Sequence, residues 1–326
     1  MNKYRWGITG TGMIAKKMAD ALGLLENAEI KAVLSRTKES GNAFAKKYNI
    51  PEVYTDIESF ACSGNIDIVY VATPHSFHLR DTLASLKGGK HVMCEKPMGV
   101  NEKEETEMIE TAKKEKRLLM EAFWTYYFPN MQKTLSLIKE GAIGKPVMVD
   151  ARFCFSHKYD PLHRNYNPDL AGGAMLDIGL YCISFAQKVF GGYPVDIKGS
   201  AVFAPTGTDI SSSYLLTYSD NRLATLTSSF AANTHKNGYI FGEKGFIKMP
   251  FFWYPEDVIL NVDGKEKIFK FERFGNGYTY EAVEMMKMLD NNQLESTVFS
   301  FDDSIKLIRI MDTLRQQWGM KYPFEV

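Results

Sequence analysis

The first third of the chain alternates short apolar runs with segments of helical periodicity. The predicted strands are 4–8, 29–35, 66–73, 90–95 and 117–122, and the predicted helices are 9–25, 38–48, 76–88 and 102–116. The run "IDIVYVAT" is apolar throughout and rich in β-branched residues, as strands covered on both faces are. Strands that alternate with helices predict right-handed crossovers and a parallel, doubly wound sheet.

Beyond residue 122 most apolar positions recur with a period of two. The predicted strands are 146–155, 196–204, 211–219, 222–231 and 237–249, and the predicted helices are 130–145, 173–190, 278–290 and 302–318. Alternation of this kind, with short turns such as "SDN", predicts an antiparallel sheet with one covered face. We therefore predict an α/β chain of two domains. Residues 1–122 form the doubly wound parallel sheet, and residues 123–326 form an α+β domain with an open, mainly antiparallel sheet.

Charge and cysteine content narrow the classes of partner. Among the 326 residues, 39 lysines and arginines balance 39 aspartates and glutamates, which argues against nucleic-acid and membrane-surface binding. The four cysteines are scattered without a C-x-x-C pair, as in reduced cytosolic proteins. The start of the chain lacks an unbroken apolar segment, and no apolar run approaches the ~20 residues of a membrane helix. We expect a cytoplasmic protein without a nucleic-acid or membrane partner.

The segment "GITGTGMIAKKMA" lies between the first predicted strand and the first helix. Gly10, Gly12 and Ala15 fit the dinucleotide pattern G-x-G-x-x-G/A, in which the glycines allow a tight turn and the approach of a pyrophosphate. The N–H groups at the start of the helix would then face the phosphates. The alternative is a glycine-rich turn without a ligand. The residues expected to contact the cofactor here are Gly10, Thr11, Gly12, Met13 and Ile14.

The second predicted strand ends in "SRTK", which bears on the choice of dinucleotide. NAD-binding proteins usually carry an acidic residue at this point for the ribose hydroxyls. Here the turn is Ser35, Arg36, Thr37 and Lys38, and the first carboxylate is Glu39. A guanidinium and hydroxyl groups suit a 2′-phosphate, so we expect these four residues to favour NADP(H) over NAD(H). An ordinary basic turn is the alternative.

Lys96 follows the predicted strand 90–95 in the segment "CEKPMGVN". Ligands of doubly wound sheets bind at the carboxyl ends of the strands, so position makes Lys96 a candidate for chemistry and not only a solvated surface lysine. The Lys96–Pro97 bond could be cis, since proline is the residue that tolerates it. The cofactor contacts expected at this edge are Ala72, Thr73, Pro74, His78, Glu95 and Lys96.

Three segments together carry a resemblance to a known family. "GITGTGMIAKKMA", "ATPHSFHLRDTLASLKGGKHVMCEKPMGVN" and "AGGAMLDIGLYC" resemble the Gfo/Idh/MocA family of nicotinamide-dependent oxidoreductases. "EAFWTYYFPNMQ", "GEKGFIKMPFFWYPEDVIL" and "GNGYTYEAVEMM" resemble its dimeric dihydrodiol dehydrogenase and NADP-dependent D-xylose dehydrogenase branch. The resemblance runs nearly from end to end. It implies an outer sheet face that pairs subunits, and hence a homodimer or homotetramer through the C-terminal sheet.

The resemblance also implies roles for three residues. The lysine of Glu-Lys-Pro, matched by Lys96, assists proton transfer together with the residues matched by Asp177 and Tyr181. Many members, inositol dehydrogenases among them, have histidine where this chain has Tyr181, and this argues against an inositol dehydrogenase. A free phenol has a pKa near 10, and a neighbouring ammonium and an oxidised nicotinamide ring would lower that pKa. Asp177 would bind a substrate hydroxyl or hold Lys96.

A polar and aromatic loop, 156–173, precedes the helix with Asp177 and Tyr181. Such a loop suits a hydroxyl-rich ligand, which needs several placed donors and acceptors, although a solvated surface loop is the alternative. The expected substrate contacts are Trp124, Phe153, His157, Arg164 and Asn165. The H-x-x-H pair at residues 75 and 78 lacks a third ligand at suitable spacing, so we expect no metal.

The expected reaction is hydride transfer between nicotinamide C4 and a carbinol or carbonyl of a sugar or cyclic diol, of aldose or trans-dihydrodiol type. Tyr181 and Lys96 are the expected proton-transfer groups. Two alternatives remain: an NAD-dependent glycoside hydrolase of the same fold, and a catalytically silent protein that senses dinucleotides. The substrate itself and the direction of the reaction do not follow from the residues.

Overall fold

The computed structural model describes residues 2–325, which contain two sheets and the helices around them. The strands are β1 Tyr4–Thr9, β2 Ala28–Leu34, β3 Glu52–Tyr54, β4 Ile68–Val71, β5 His91–Glu95, β6 Leu119–Ala122, β7 Pro146–Cys154, β8 Asp196–Phe203, β9 Asp209–Tyr218, β10 Arg222–Ser229, β11 Asn237–Gly242, β12 Gly245–Pro250, β13 Asp257–Val262 and β14 Lys265–Lys270. The α-helices are α1 Met13–Leu22, α2 Lys38–Tyr48, α3 Ile57–Ala61, α4 His78–Lys87, α5 Glu102–Glu115, α6 Pro129–Lys139, α7 Leu180–Phe190, α8 Tyr278–Asp290 and α9 Phe301–Trp318.

The chain divides into two compact units. The first runs to Tyr127 and also contains Arg273–Ile305, whereas the second contains Phe128–Glu272 and the chain from Lys306 onwards. This division differs from the predicted boundary at 122/123 because α8 returns to the first unit. There Asn276 donates a hydrogen bond to the carbonyl of Lys17 at 2.7 Å, which ties the start of α8 to α1.

The first unit contains the doubly wound sheet that the sequence predicts. Its strand order is β3-β2-β1-β4-β5-β6, and every neighbouring pair is parallel. The order reverses between β1 and β4, so the loops after these two strands meet at one edge of the sheet. In this unit β3 and α3 were not predicted. With three and five residues respectively, they are too short to show a periodic pattern.

The core of the first unit explains why its strands are apolar throughout. Phe60, Val69, Val71 and Val92 are fully buried in one cluster that the helices cover. Burying a side chain of this size contributes about 1.5–3 kcal/mol. The edge strand β3 is only half-buried, which fits its shorter and less apolar sequence.

The second unit contains an eight-stranded sheet of order β14-β13-β12-β11-β7-β10-β9-β8. Only the β7–β10 pair is parallel within the described residues, so the prediction of a mainly antiparallel sheet is confirmed. The predicted single strand 237–249 is the hairpin of β11 and β12. Along β9, Ser212, Tyr214 and Leu216 are buried whereas Ser213 and Leu215 are exposed, so one face of the sheet is covered and the other is open.

The segment Pro168–Phe190, which contains α7, has the length and composition of a membrane-spanning helix. Of its most apolar window 89% is buried inside the structure, as expected for the core helix of a globular domain. From the sequence we expected no apolar run of ~20 residues. That expectation missed this segment, because Asp177 and several glycines interrupt its apolar residues. Of the residues from 2 to 325, this is the stretch that meets the membrane criterion.

A bidentate ion pair joins the starts of β1 and β4. Arg5 donates from Nε at 3.0 Å and from its terminal nitrogen at 2.6 Å to the carboxylate of Asp67, whose oxygen also accepts the Arg5 backbone N–H. Burial raises the pKa of Asp67, but the hydrogen bonds and charge of Arg5 outweigh it, so that the pKa lies below its ordinary value of 3.8. The ionised carboxylate is therefore the form that stabilises the fold.

We predict that Asp67→Asn lowers the free energy of unfolding by about 1 kcal/mol at neutral pH, since the pair is partly exposed. A depressed folded-state pKa stabilises the protein above 3.8, and the effect is lost as the pH falls below that value. The difference between variant and wild type in urea unfolding should therefore be constant at neutral pH and shrink toward pH ~3. Asp20→Asn, on the exposed face of α1, is the control. A difference that does not change with pH would contradict the assignment.

Candidate functional site

The turn between β1 and α1 has the geometry of a phosphate cradle. Gly10 adopts φ +92°, and a Cβ at this residue would lie 2.8 Å from the carbonyl oxygen of Ala72, at the point where the strand order reverses. Gly12 precedes α1 without a side-chain cap, and a Cβ there would meet no atom within 4 Å. The first N–H groups of α1 have no helical partners and no side-chain cap, and the open space at Gly12 leaves room for a phosphate group, so these residues fit the pyrophosphate of a dinucleotide. Ala15 is fully buried against the sheet, and Thr11, Met13 and Ile14 complete the turn.

The turn after β2 carries two exposed cations and two hydroxyl groups that form hydrogen bonds within the turn. Arg36 and Lys38 are exposed. Ser35 is buried and donates to the carbonyl of Thr37 at 2.7 Å, while the Thr37 hydroxyl accepts the N–H of Ser40 and caps α2. The two cations are thus exposed at the carboxyl end of β2, whereas the two hydroxyls hold the turn in shape.

The loops after β4 and β5 are connected by a buried histidine. One ring nitrogen of His78 lies 2.9 Å from the carbonyl of Thr73, and the other lies 2.8 Å from the carbonyl of Pro97. Thr73 also donates its hydroxyl hydrogen to the buried carboxylate of Asp81 at 2.9 Å. His78 is therefore used within the first unit, and no metal-ligating group of three or more side chains occurs among residues 2–325.

Lys96 directly follows β5, at the same edge of the sheet as Gly10 and Thr73, and its bond to Pro97 is cis. We call this edge, formed by residues 10–13, 35–38, 72–74 and 95–97, the cofactor rim. Behind Lys96, the buried carboxylate of Glu95 accepts hydrogen bonds from the Tyr70 hydroxyl and from the Lys96 N–H. The loop that carries the ammonium is therefore held from the inside.

Two further buried acids of the first unit, Glu121 and Glu281, were not predicted, because no motif marks them. Glu121 accepts from the Met98 N–H at 3.1 Å and from the Ser304 hydroxyl, and burial raises its pKa to about 7. Glu281 on α8 is fully buried, and burial and then the charge of Glu95 raise its pKa well above the usual range. Neither carboxylate oxygen of Glu281 has a hydrogen-bond partner among the described residues.

Trp124, a predicted substrate contact, belongs to the first unit. Its ring lies 4.5 Å from that of Tyr278, which begins α8, and both side chains are buried. The ammonium of Lys17 lies 5.8 Å from the Tyr278 ring. This aromatic pair was not apparent from the sequence, since the two residues are far apart along the chain.

In the second unit, Asp177 and Tyr181 lie on one continuous helical segment. A π-helical turn, Met175–Gly179, leads directly into α7, and we call the whole segment Met175–Phe190 the Tyr181 helix. Asp177 lies in the π-helical turn and Tyr181 in the first turn of α7, and both are largely buried. The apolar residues around them explain this burial, since the Tyr181 helix packs on the covered face of the second sheet.

Asp177 has a partner on the preceding loop. Arg164 lies 3.1 Å from its carboxylate, so the structure brings together one predicted catalytic and one predicted substrate residue. Asn165 is buried, and its carbonyl accepts the N–H of Gly173 at 3.0 Å. The loop is thereby anchored at the start of the Tyr181 helix.

A pair of stacked aromatic rings lies beside Tyr181. The Phe153 ring lies 5.6 Å from that of Tyr181 and is stacked at 3.8 Å on Trp253. The rings of His157 and His163 are 4.2 Å apart, and the Tyr166 hydroxyl donates to the carbonyl of His157. His157, His163 and Tyr166 thus form a second aromatic group, on the loop 156–173.

The chain is similar to known proteins over nearly its whole length. A model of the Gfo/Idh/MocA oxidoreductase family, with an NAD-binding Rossmann fold, matches residues 4–123, and one of the Gfo/Idh/MocA C-terminal domain matches residues 131–248. Trans-1,2-dihydrobenzene-1,2-diol dehydrogenase of Xenopus tropicalis is 35% identical, covering 98% of this chain and 99% of that protein. The scyllo-inositol 2-dehydrogenase (NADP(+)) of Bacillus subtilis is 32% identical, with 98% of each chain covered.

Among solved structures, an aldose–aldose oxidoreductase from Caulobacter crescentus has a TM-score of 0.88 at 23% identity, and the match covers 98% of each chain. That likeness supports the fold. The two family models cover most of the chain, and the dehydrogenase relatives match it over nearly its full length. The chain therefore belongs to the Gfo/Idh/MocA family, and it is an NAD(P)-dependent oxidoreductase that acts on CH–OH groups.

Proposed function

We propose that this protein is a dehydrogenase with a preference for NADP(H) that interconverts a carbinol and a carbonyl of a sugar or cyclic diol. The observation that carries the proposal is the position of Lys96, on the same rim of the first unit as the phosphate cradle at Gly10 and Gly12. A cationic side chain at the carboxyl end of a strand, beside a dinucleotide site, is suited to bind the oxygen of a reacting alcohol.

The cofactor residues divide into those for phosphates and those for the nicotinamide half. Gly10, Thr11, Gly12 and the first N–H groups of α1 would bind the pyrophosphate, and Arg36 with Lys38 would bind a 2′-phosphate. The loops after β4 and β5, tied together by His78, would border the nicotinamide ribose. These residues would hold a nicotinamide whose oxidised ring would supply the hydride acceptor for the carbinol carbon.

We propose that Tyr181 takes the hydroxyl proton while Lys96 contacts the same oxygen. The phenolate accepts the proton as the carbon–hydrogen bond breaks, so that the alcohol becomes a carbonyl, and the reverse reaction returns the proton. Lys96 favours the phenolate by its positive charge. Asp177, held by Arg164 at 3.1 Å, would accept a hydrogen bond from a neighbouring substrate hydroxyl and so orient the carbinol.

The surroundings of Tyr181 support a ring-shaped substrate with adjacent hydroxyl groups. Phe153, stacked on Trp253, places an apolar aromatic pair beside Tyr181, while Asp177 and Arg164 would offer a charged acceptor and donor to the hydroxyls of a ring. The relatives are named for a dihydrodiol and for scyllo-inositol. Tyr181 still argues against an inositol, and this expectation stays a prediction.

We further propose that the protein is cytoplasmic and forms a homodimer or homotetramer through the C-terminal sheet. The exposed side chains of Met148, Val202 and Leu215 on the open part of that sheet support such a contact, because a second sheet face would bury them. Sedimentation velocity tests this proposal. A monomer at every concentration would contradict it.

A substrate panel tests the proposed reaction. Aldoses, cyclic diols, inositols and dicarbonyls are incubated with NADP and NAD in turn, and the absorbance of the reduced nicotinamide is followed. We expect turnover with NADP and at least one aldose or trans-diol, at a kcat/KM above that with NAD. Glycoside cleavage without net reduction would favour the hydrolase alternative. Dinucleotide binding without any turnover would favour the sensing alternative.

We predict that Lys96→Met abolishes turnover and leaves NADPH binding nearly intact, because the methionine keeps the size of the side chain and removes its charge. A loss of kcat of about 10²- to 10⁴-fold is the range for a lost proton-transfer group. Fluorescence titration of NADPH gives the dissociation constant. Lys103→Met, exposed on α5, is the matched control. An unchanged kcat would remove Lys96 from the chemistry.

We predict that Arg36→Ala raises the dissociation constant of NADPH about 10- to 100-fold, since hydrogen bonds to a charged group are worth about 1.5–3 kcal/mol. The dissociation constant of NADH should change little, as NADH lacks the 2′-phosphate. Titration of each nucleotide against each protein measures both effects. Lys46→Ala, an exposed cation of α2, should affect neither nucleotide. Equal weakening of both by Arg36→Ala would contradict a role in phosphate binding.

A further inference from the structure

A buried aspartate of the second sheet is attached to the start of the Tyr181 helix. Asp209 begins β9 and is 1% exposed. One oxygen of its carboxylate accepts the backbone N–H of Met175 at 2.8 Å and the hydroxyl of Ser212 at 2.9 Å. Met175 is the first residue of the π-helical turn, so this carboxylate caps the segment that carries Asp177 and Tyr181.

The chain before the helix is shaped to admit this carboxylate. Gly173 adopts φ +132°, and a Cβ at this residue would collide with the second carboxylate oxygen of Asp209. The Tyr322 hydroxyl donates to the carbonyl of Gly172 at 2.8 Å, which fixes the same segment from the C-terminal side. The contact between Asp209 and Met175 therefore depends on a residue without a side chain at position 173.

A set of hydroxyl groups continues from Asp209 beneath the helix. The Ser212 hydroxyl lies 2.6 Å from that of Tyr214, which lies 2.6 Å from that of Ser228. A Cβ at Gly179, between Asp177 and Tyr181 in the sequence, would collide with the Tyr214 hydroxyl. The helix thus rests on this hydrogen-bonded network at its beginning and directly between the two predicted catalytic residues.

Burial disfavours the ionised form of the Asp209 carboxylate. Burial raises its pKa to about 6, although the hydrogen bonds from Ser212 and Met175 and the charge of Arg315 lower it. The other titratable groups that influence it are Tyr214 and Tyr322, whose own pKa values burial raises. One oxygen of the carboxylate has no hydrogen-bond partner among the residues that the structure describes. An apolar residue would be easier to bury here, and this argues for a positional role.

We propose that Asp209 is a positioning residue, which fixes the first turn of the Tyr181 helix and thereby the location of the Asp177 carboxylate and the Tyr181 phenol. The kinetic consequence rests on the proposed function. The structural consequence, protection of the backbone amides at the start of the helix, does not. The two consequences can therefore be tested separately.

The test compares Asp209→Ala, which removes the acceptor, with Asp209→Asn, which keeps an acceptor oxygen and removes the charge. We expect kcat to fall about 10- to 100-fold in Asp209→Ala, the effect of a small misplacement of catalytic groups. The KM for NADP should not change, because the cofactor residues belong to the first unit. Asp209→Asn should recover most of kcat. Asp196→Asn, an exposed residue of β8, is the control.

Hydrogen exchange of the amides of Met175–Gly179 is the second readout and needs no substrate. We expect faster exchange in Asp209→Ala and near wild-type exchange in Asp209→Asn. Gly173→Ala, which pushes the carboxylate away, should resemble Asp209→Ala in both readouts and carries the test if Asp209→Ala does not fold. Wild-type kcat per folded molecule and unchanged exchange in Asp209→Ala would overturn the proposal. If Asp209→Ala exchanges faster but the wild type turns over no substrate, the proposed reaction is contradicted and the positioning role of Asp209 is supported.

The pH dependence of thermal stability tests independently whether the pKa of Asp209 is raised. A raised folded-state pKa means that the stabilisation by the protonated form is lost as the pH rises through about 6. From about pH 5 to about pH 8 the Tm of wild type should therefore fall relative to that of Asp209→Asn. An aspartate stabilised by an ion pair would have a lowered pKa and would leave this difference constant between about pH 5 and about pH 8, and that result would contradict a buried, disfavoured charge at Asp209.

Discussion

Gly10 and Ala72 bring two stretches of backbone together where the strand order of the parallel sheet reverses. A Cβ at Gly10 would lie 2.8 Å from the Ala72 carbonyl oxygen, well inside van der Waals contact, so any other residue would push the two loops apart. The phosphate cradle, the loop of Thr73 and, through His78, the loop of Lys96 all depend on this contact. The second unit also depends on a glycine at a close contact, since only a residue without a side chain at position 173 leaves room for the Asp209 carboxylate that caps the Tyr181 helix.

Buried acids support the Lys96 loop in the first unit and the start of the Tyr181 helix in the second. In the first unit Glu95 and Glu121 accept hydrogen bonds from backbone N–H groups on either side of the Lys96–Pro97 bond. In the second unit Asp209 does the same for the start of the Tyr181 helix. Acceptors fixed in a nonpolar interior hold a backbone more rigidly than water can, and rigid positioning is what hydride transfer asks of the protein. The raised pKa values of Glu121 and Asp209 are the consequence of this use of buried carboxylates.

The sequence predicted the fold well where a pattern was long and regular. The helices 38–48 and 278–290 and the parallel sheet follow directly from periodicity, whereas β3 is too short to show one, and β13 and β14 were not recognised. The site was predictable as far as it lies in motifs, such as the glycine turn and Lys96. Asp209 and Glu281 could not be found, because their roles come from burial and from partners distant in the chain. The return of α8 to the first unit was missed for the same reason.

We propose that Lys96 and Tyr181 act on one carbinol oxygen. The most direct measurement is a crystal structure of the protein with NADP and an alcohol substrate from the panel, trapped by the reduced activity of Tyr181→Phe or by a nonreactive analogue. The account predicts that the Lys96 ammonium nitrogen and the para position of the residue at 181 both lie at the carbinol oxygen, with the ammonium at about 2.6–3.2 Å. An alcohol oxygen bound out of hydrogen-bond reach of either side chain would contradict it.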